Sequence, residues 1–495
     1  MTERKHILLI NPPLMLEQRY GKDMQRFGAV AEPLGLAYVA AGLEAAGNPV
    51  AILDAPALGM NLTQVVEHTA EVGPDIVGLT LLTPMFGITQ ALCRALKVRM
   101  PEIHILLGGP HISALPERTL EEIPEADVCC IGEGDRTVPQ LVDVWRDGGD
   151  LSQVNGICYR DNGIPRRTPP REFVKDLDSI PPPARHLLPM EAYRLTASRA
   201  RKSSFCPTVI VARGCPFKCS FCSRPFGRTL RTHGTDRIIS EIRTLVDTYG
   251  AEQINIEADT LTANRKFLSA LCRGLVDSGL SERISWTCES RVNTVTQELL
   301  ELMRKAGCWQ ISYGVESGVQ RILDKLDKTI KLEQVEKAFA MTKEVGIGIR
   351  GFFMLGVDTE TRAESWQTIE FAKKLDPDWA QFTVTIPYPG TPMFDELEAN
   401  GRIRSYNWDN YNTWNGWRGV EDVPFVPEGR SVEELTVLQK QAMRAFYLRP
   451  RVFLRALRDL RSPGDLAKYA AGFFVLVKTF FQARRPTGQG VSPEA

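Results

Sequence analysis

The chain of 495 residues has no surplus of either charge: 60 Lys and Arg stand against 60 Asp and Glu. That balance removes the basic surface that a nucleic-acid partner calls for. The stretch around Cys215–Cys222 lacks a second cysteine or histidine pair, the nearest downstream histidine being His233. A zinc knuckle, which wants two such pairs, is disfavoured. The 11 cysteines are odd in number and lack disulfide-like regularity. No uninterrupted apolar run is long enough to span a bilayer, because LAKYAAGFFVLVKTFFQARR near the end is broken by Lys468 and Lys478. That segment is expected to be a helix docked on its own domain, with peripheral contact to a membrane surface or a lipid substrate as the second reading. The start, MTERKHILLI, shows no signal-peptide pattern. A reducing cytoplasm is the expected compartment.

What is present centres on ARGCPFKCSFC, which ends at Cys222. Cys215, Cys219 and Cys222 have the spacing C-x3-C-x2-C. Three thiolates this close can hold three corners of a cubane iron–sulfur cluster and leave its fourth iron open to a small molecule. No fourth cysteine follows at short range, the next being Cys272, and Cys206 upstream breaks the pattern. A redox pair of Cys219 and Cys222 would ignore Cys215.

The length exceeds one core, so two or three domains are expected. Up to about residue 150, short apolar runs at 6–10, 49–54, 76–82, 104–109 and 128–132 alternate with helical patterns. That alternation predicts a doubly wound parallel sheet, which binds ligands beyond the carboxyl ends of its strands. Those ends read Asn11-Pro12-Pro13, Thr83-Pro84, Gly108-Gly109-Pro110-His111 and Gly132-Glu133-Gly134. Glycine there admits close approach of a ligand, although turns need Gly and Pro in any case.

Residues 151–205 read as a proline-rich linker containing a hairpin turned at Asp161-Asn162-Gly163, with Arg166, Arg167 and Arg171 solvated. From 206 to 392 six strand–helix units predict a partial (β/α)6 barrel with the cysteine loop after its first strand, TVIVAR. From 393 to 495 a mainly helical extension is expected. Its aromatic cluster of Tyr406, Trp408, Tyr411, Trp414 and Trp417 is expected to seal the open barrel edge.

The cysteine stretch, with Phe221 just before its third cysteine, resembles the signature of the radical S-adenosylmethionine (SAM) enzymes. NPP, PDIVGLT, ILLGGPH and GEGD resemble the cobalamin-binding domain that precedes the radical SAM domain in one large class. That class includes radical SAM C-methyltransferases and proteins like the anaerobic magnesium-protoporphyrin monomethyl ester cyclase. The resemblance spans about 1–145 for the first domain. It implies a Rossmann-like cobalamin-binding domain, a 4Fe-4S cluster on Cys215, Cys219 and Cys222, SAM and cobalamin.

For SAM, the resemblance implies contacts from Phe221, Glu257, Asp259, Arg291, Glu316 and Met354. For cobalamin it implies Asn11, Pro12, Thr83, Gly108, Gly109, His111, Gly132, Glu133 and Gly134. The motif D-x-H-x-x-G, which supplies a lower cobalt ligand elsewhere, is absent: Pro56 stands where its histidine would be, in Asp54–Gly59. The implied activity is methylation of an unactivated carbon. Cobalamin-dependent cyclisation or oxidation is one alternative, and a non-catalytic cobalamin or SAM sensor another. The substrate is open among small molecules, lipids and peptides, and the reductant is expected to be a flavodoxin or ferredoxin.

Overall fold

The computed structural model describes residues 6–25, 28–195, 201 and 205–458. Strands β1 (Ile7–Asn11), β2 (Val50–Asp54), β3 (Ile76–Thr80), β4 (His104–Gly108), β5 (Val128–Cys130), β6 (Ile157–Asp161) and β7 (Ile164–Arg167) form one sheet. Its order is β2-β1-β3-β4-β5-β6-β7. The first five strands are parallel. Their near-continuous apolar runs follow from burial on both faces: Ile7 and Leu9 enter one core, Leu8 and Ile10 the other. The switch point lies between β1 and β3.

The hairpin of the linker does not hang free. β6 pairs antiparallel with β5 and extends the first sheet. Asn162 (φ 52°) and Gly163 (φ 84°) make its two-residue turn, which requires positive φ at both positions. Beyond it, Arg185 is buried and ties both halves together, donating to Glu32 at 3.0 Å, Glu241 at 2.7 Å and the Thr208 carbonyl at 2.6 Å.

Strands β8 (Thr208–Ile210), β11 (Gln253–Glu257), β12 (Ser285–Ser290), β13 (Cys308–Glu316), β14 (Gly348–Leu355) and β15 (Trp379–Val384) form the second sheet. All six are parallel, in the order β15-β14-β13-β12-β11-β8. Helices fill the connections, giving the partial barrel. TVIVAR is not one strand. After Val211 the chain turns away as β9 (Ala212–Arg213), which pairs antiparallel with β10 (Arg231–Thr232). The cysteine loop is everything between β9 and β10.

The barrel edge at β15 is covered by the helix Val432–Tyr447, not by the aromatic cluster. Gln439 donates to the Phe382 carbonyl at 3.0 Å, and the Tyr447 hydroxyl serves both Ala380 N–H and Ala380 C=O. Edge-strand groups buried under a helix need such partners. The aromatic segment instead docks on the first sheet: Trp408 and Tyr411 join its core, and Asp409 accepts from Gly87 N–H at 2.7 Å. Capping the helix Phe86–Arg99 satisfies an otherwise orphaned donor.

Arg166 and Arg167 pair with Asp161 and Glu117 at the surface, and Arg171 donates to Gln140. Among the described residues no helix is long and apolar enough to cross a membrane. The segment LAKYAAGFFVLVKTFFQARR lies outside the described residues.

Candidate functional site

The cysteine loop is closed at its base by close backbone approach. Gly214 has φ 91°, its N–H donates to Asp259 Oδ2 at 2.7 Å, and a Cβ there would overlap the Thr229 carbonyl oxygen. Only glycine accommodates both demands. Cys215 N–H donates to Gly227 C=O at 3.2 Å. The far side is pinned to the barrel: Ser220 N–H donates to Leu326 C=O at 3.0 Å, and Met393 N–H to Ser220 C=O at 2.9 Å.

Cys219 is buried, Cys215 half-buried and Cys222 exposed. Enclosure by surrounding protein, then the charges of Cys219 and Cys215, pushes the Cys222 thiol up to about 11. Asp259 is similarly open to solvent, yet enclosure holds its carboxyl above the usual carboxylate range against the opposing Gly214 N–H and Arg231. Among the described residues, no three His, Cys, Asp or Glu side chains converge as one metal ion would require. A cubane makes no such demand, since each thiolate takes a separate iron.

The barrel strand ends converge on this loop. Thr260, after β11, places its hydroxyl 3.4 Å from Cys215 Sγ. Glu257 at the end of β11 is exposed. Arg291, after β12, has its partners within the protein. Its Nη1 donates to Cys219 Sγ at 3.1 Å, Nη2 donates to the Lys328 carbonyl, and the guanidinium lies 3.8 Å from the Phe217 ring centroid. Glu316, ending β13, is buried and accepts from Lys328 Nζ at 2.6 Å. It has φ 67°, and Asp327 and Thr329 flanking Lys328 have φ 51° and 54°. Left-handed backbone at three non-glycine residues is strain of the kind that functional sites hold. Lys328 Nζ stands 5.5 Å over the Phe221 ring, and Phe221 packs on the apolar group containing Met354.

At the first sheet the strand-end residues divide. Above Gly108 and Gly132 an added Cβ would meet nothing within 4 Å, so the space over them is open. Leu82, just beyond β3, leaves 40% of its surface exposed. The other residues have partners within the protein. Asn11 donates to Asp54 Oδ1 at 2.8 Å, and Tyr193 to Asp54 Oδ2 at 2.8 Å. Pro12 is buried. His111 Nδ1 lies 3.1 Å from Thr83 Oγ1, and its ring sits edge-on to Phe86 (5.2 Å) and Trp408 (5.1 Å). Burial, then the Arg118 charge, pushes His111 down to about 4. His111 is a buried histidine hydrogen-bonded to Thr83.

Gly109 takes φ 115° to cross Leu81, and Gly134 packs against Val39. Glu133 points into the interface between the two halves, where it meets Arg213 and Arg231. A Cβ on Gly390, after β15, would come within 2.9 Å of Ala114 Cβ and 4.0 Å of Ser223 Oγ. The loop after β4 thus lies against the barrel mouth beside the cysteine loop.

A family profile described as the B12 binding domain matches residues 23–142, and one described as the radical SAM superfamily matches residues 209–372. An uncharacterized methyltransferase of Pyrococcus horikoshii is 35% identical over 432 residues, 86% of this chain and 90% of that protein. The chain belongs to the cobalamin-binding radical SAM enzymes.

Another relative of this radical SAM enzyme, the anaerobic magnesium-protoporphyrin IX monomethyl ester cyclase of Rubrivivax gelatinosus, is 31% identical over 77% of this chain and 68% of its own. Among solved structures, the radical SAM methyltransferase TsrM of Kitasatospora setae shares the fold at a TM-score of 0.65. It is 17% identical, with 81% of this chain and 79% of that chain covered.

The cofactors of this enzyme are a 4Fe-4S cluster, SAM and cobalamin. The residues present fit them: three free thiols on one loop, Thr260 and Arg291 against two of them, and an open glycine floor on the facing sheet. Sequence reasoning missed Lys328, hidden in the charged run KLDKTIK, and Arg185, Arg213 and Arg231, whose partners are remote in sequence. It also missed Glu360, buried and accepting from Gly356 N–H and, at 3.2 Å, Val357 N–H after β14.

Proposed function

We propose that this radical SAM enzyme methylates an unactivated carbon of its substrate. When bound, the reduced cluster and SAM supply a hydrogen-abstracting 5′-deoxyadenosyl radical, and methylated cobalamin supplies the methyl group. The observation that carries the reading is the facing of the two strand-end surfaces. Ala114 of the short helix after β4, Gly390 of the barrel and Ser223 of the cysteine loop meet at one point. Both cofactor surfaces then border one cleft, where a substrate radical is made beside the methyl donor.

In this reading Cys215, Cys219 and Cys222 hold the cluster. Phe221 and Met354 offer apolar surface to SAM, and Glu257 and Asp259 pair with its ammonium through charge-assisted hydrogen bonds. Glu316 and Lys328 form the polar wall between them. Arg291 holds the cluster loop. On the corrin side, Leu82, Gly108 and Gly132 would form the floor. The corrin unit runs to about residue 150, the hairpin and linker to 205, the radical SAM unit to 392, and the extension from there. A low-potential donor such as a flavodoxin or ferredoxin supplies the electron.

The test is anaerobic turnover with methyl-labelled SAM, reductant and cobalamin over candidate substrates. Equal amounts of S-adenosylhomocysteine and 5′-deoxyadenosine, with label in the product, are expected. Deoxyadenosine with a ring-closed or oxidised product and no label transfer would overturn methylation. It would support cyclisation, the second reading, which the 31% identity to the Rubrivivax cyclase favours.

A further inference from the structure

The ribbon that closes the cysteine loop pairs Arg213 directly opposite Arg231. Like charges facing each other across an antiparallel pair repel. Here both side chains are buried, at 4% and 8% exposure, so water screens them little. On its own charges this ribbon would open, and the loop bearing Cys215, Cys219 and Cys222 would lose its base.

The countercharges come from the other half of the molecule. Glu133 Oε1 lies 3.2 Å from Arg213 Nη1 and 3.0 Å from Arg231 Nη1. Asp135 grips Arg213 with both oxygens, at 2.6 and 3.0 Å. Both carboxylates are buried, and the site is neutral: two cations against two anions. Glu133 belongs to the loop after β5, and Asp135 to the first turn of the helix Gly134–Asp147. Neither points at the open floor over Gly108 and Gly132.

We propose that Glu133 and Asp135 are positioning residues for the cluster: by neutralising the opposed arginines, the corrin-binding half closes the loop that holds the cluster in the barrel half. The inference rests on Cys215, Cys219 and Cys222 being the cluster ligands. Cluster retention therefore depends on docking of the first half, and the two cofactor sites are assembled together.

The test uses the full chain, reconstituted anaerobically with iron and sulfide, then desalted. Iron content, the electron paramagnetic resonance line shape of the reduced cluster, and retained hydroxocobalamin are measured. Glu133→Gln keeps the acceptor for Val174 N–H but removes the carboxylate paired with Arg231. It is expected to keep corrin while its iron falls to less than half that of wild type. Adding Arg231→Gln restores neutrality and is expected to recover the iron and the wild-type line shape.

A lesion of the fold as a whole would lower iron and corrin together, whereas loss of the loop's base lowers iron and changes the line shape while corrin is kept. Full iron with an unchanged line shape in Glu133→Gln overturns the proposal. So does a double variant no better than the single. Should Glu133→Gln not yield folded protein, Asp135→Asn, which removes the bidentate partner of Arg213, is read in the same way. Wild-type protein that takes up no iron overturns the ligand assignment itself, an outcome distinct from the others.

Discussion

Arg291 Nη1 donates a hydrogen bond to Cys219 Sγ at 3.1 Å, across 72 residues of sequence. The guanidinium is held in place by the Phe217 face and the Lys328 carbonyl. With Cys219 as a cluster ligand, as proposed, a fixed cation on its sulfur favours the more negative, reduced cluster. Arg291→Gln is therefore expected to lower the cluster midpoint potential by roughly 60 mV. That is the one-electron equivalent of the ~1.4 kcal/mol near the lower end for a hydrogen bond to a charged group. A redox titration followed by paramagnetic resonance measures it, and an unchanged potential at full iron content would refute the role.

Lys328 and Glu316 are paired at 2.6 Å with 7% and 9% of their side chains exposed. Lys328→Met strands the Glu316 carboxylate, which already sits on left-handed backbone. The expected cost is about 3–5 kcal/mol, the usual penalty for breaking a buried pair. Adding Glu316→Gln should return most of it. Chemical unfolding of the three variants decides the matter, and equal midpoints for Lys328→Met and wild type would contradict it.

His111 makes stability pH-dependent. Its folded pKa lies at about 4, against 6.5 when unfolded, because burial and Arg118 oppose its charge. Between those values the unfolded chain binds more protons than the folded one, so stability rises with pH through this window and is lost as pH falls from 6.5 to about 4. The difference amounts to about 3 kcal/mol. About 2 kcal/mol of it is lost between pH 7 and pH 5, which unfolding of the cofactor-free protein at those two values measures. His111→Gln should flatten the dependence, and Trp408→Ala, which unroofs the ring, should weaken it.

Gly214→Ala adds a methyl group where the Thr229 carbonyl already stands, at a φ of 91°. The base of the loop must then shift. Iron uptake after reconstitution is expected to fall while corrin binding persists, and normal uptake would show that the loop has slack there.

Much of this protein is local information. The C-x3-C-x2-C spacing places three thiols on one loop whatever surrounds it. The strands of both sheets are legible because burial on two faces writes an apolar run into consecutive residues. The hairpin at Asn162-Gly163 is legible because its turn demands positive φ at both positions. Where local chemistry is interrupted, as TVIVAR breaks after Val211 to form the ribbon, the strand pattern alone runs on.

Side-chain partnership is not written locally. GEGD looks like a ligand loop because its glycines fit one, yet Glu133 and Asp135 face Arg213, 80 and 78 residues away. His111 sits in a glycine-rich strand end, but Trp408 from the extension covers it. The aromatic cluster could have sealed either half of the molecule. Its place was decided by Asp409 capping one helix and by the helix Val432–Tyr447 already occupying the barrel edge. The sequence by itself determined the strands, the loop and the donor set, because those depend on neighbours a few residues apart. Only the tertiary structure decided which charges meet, because buried charges must find countercharges wherever the packed chain brings them.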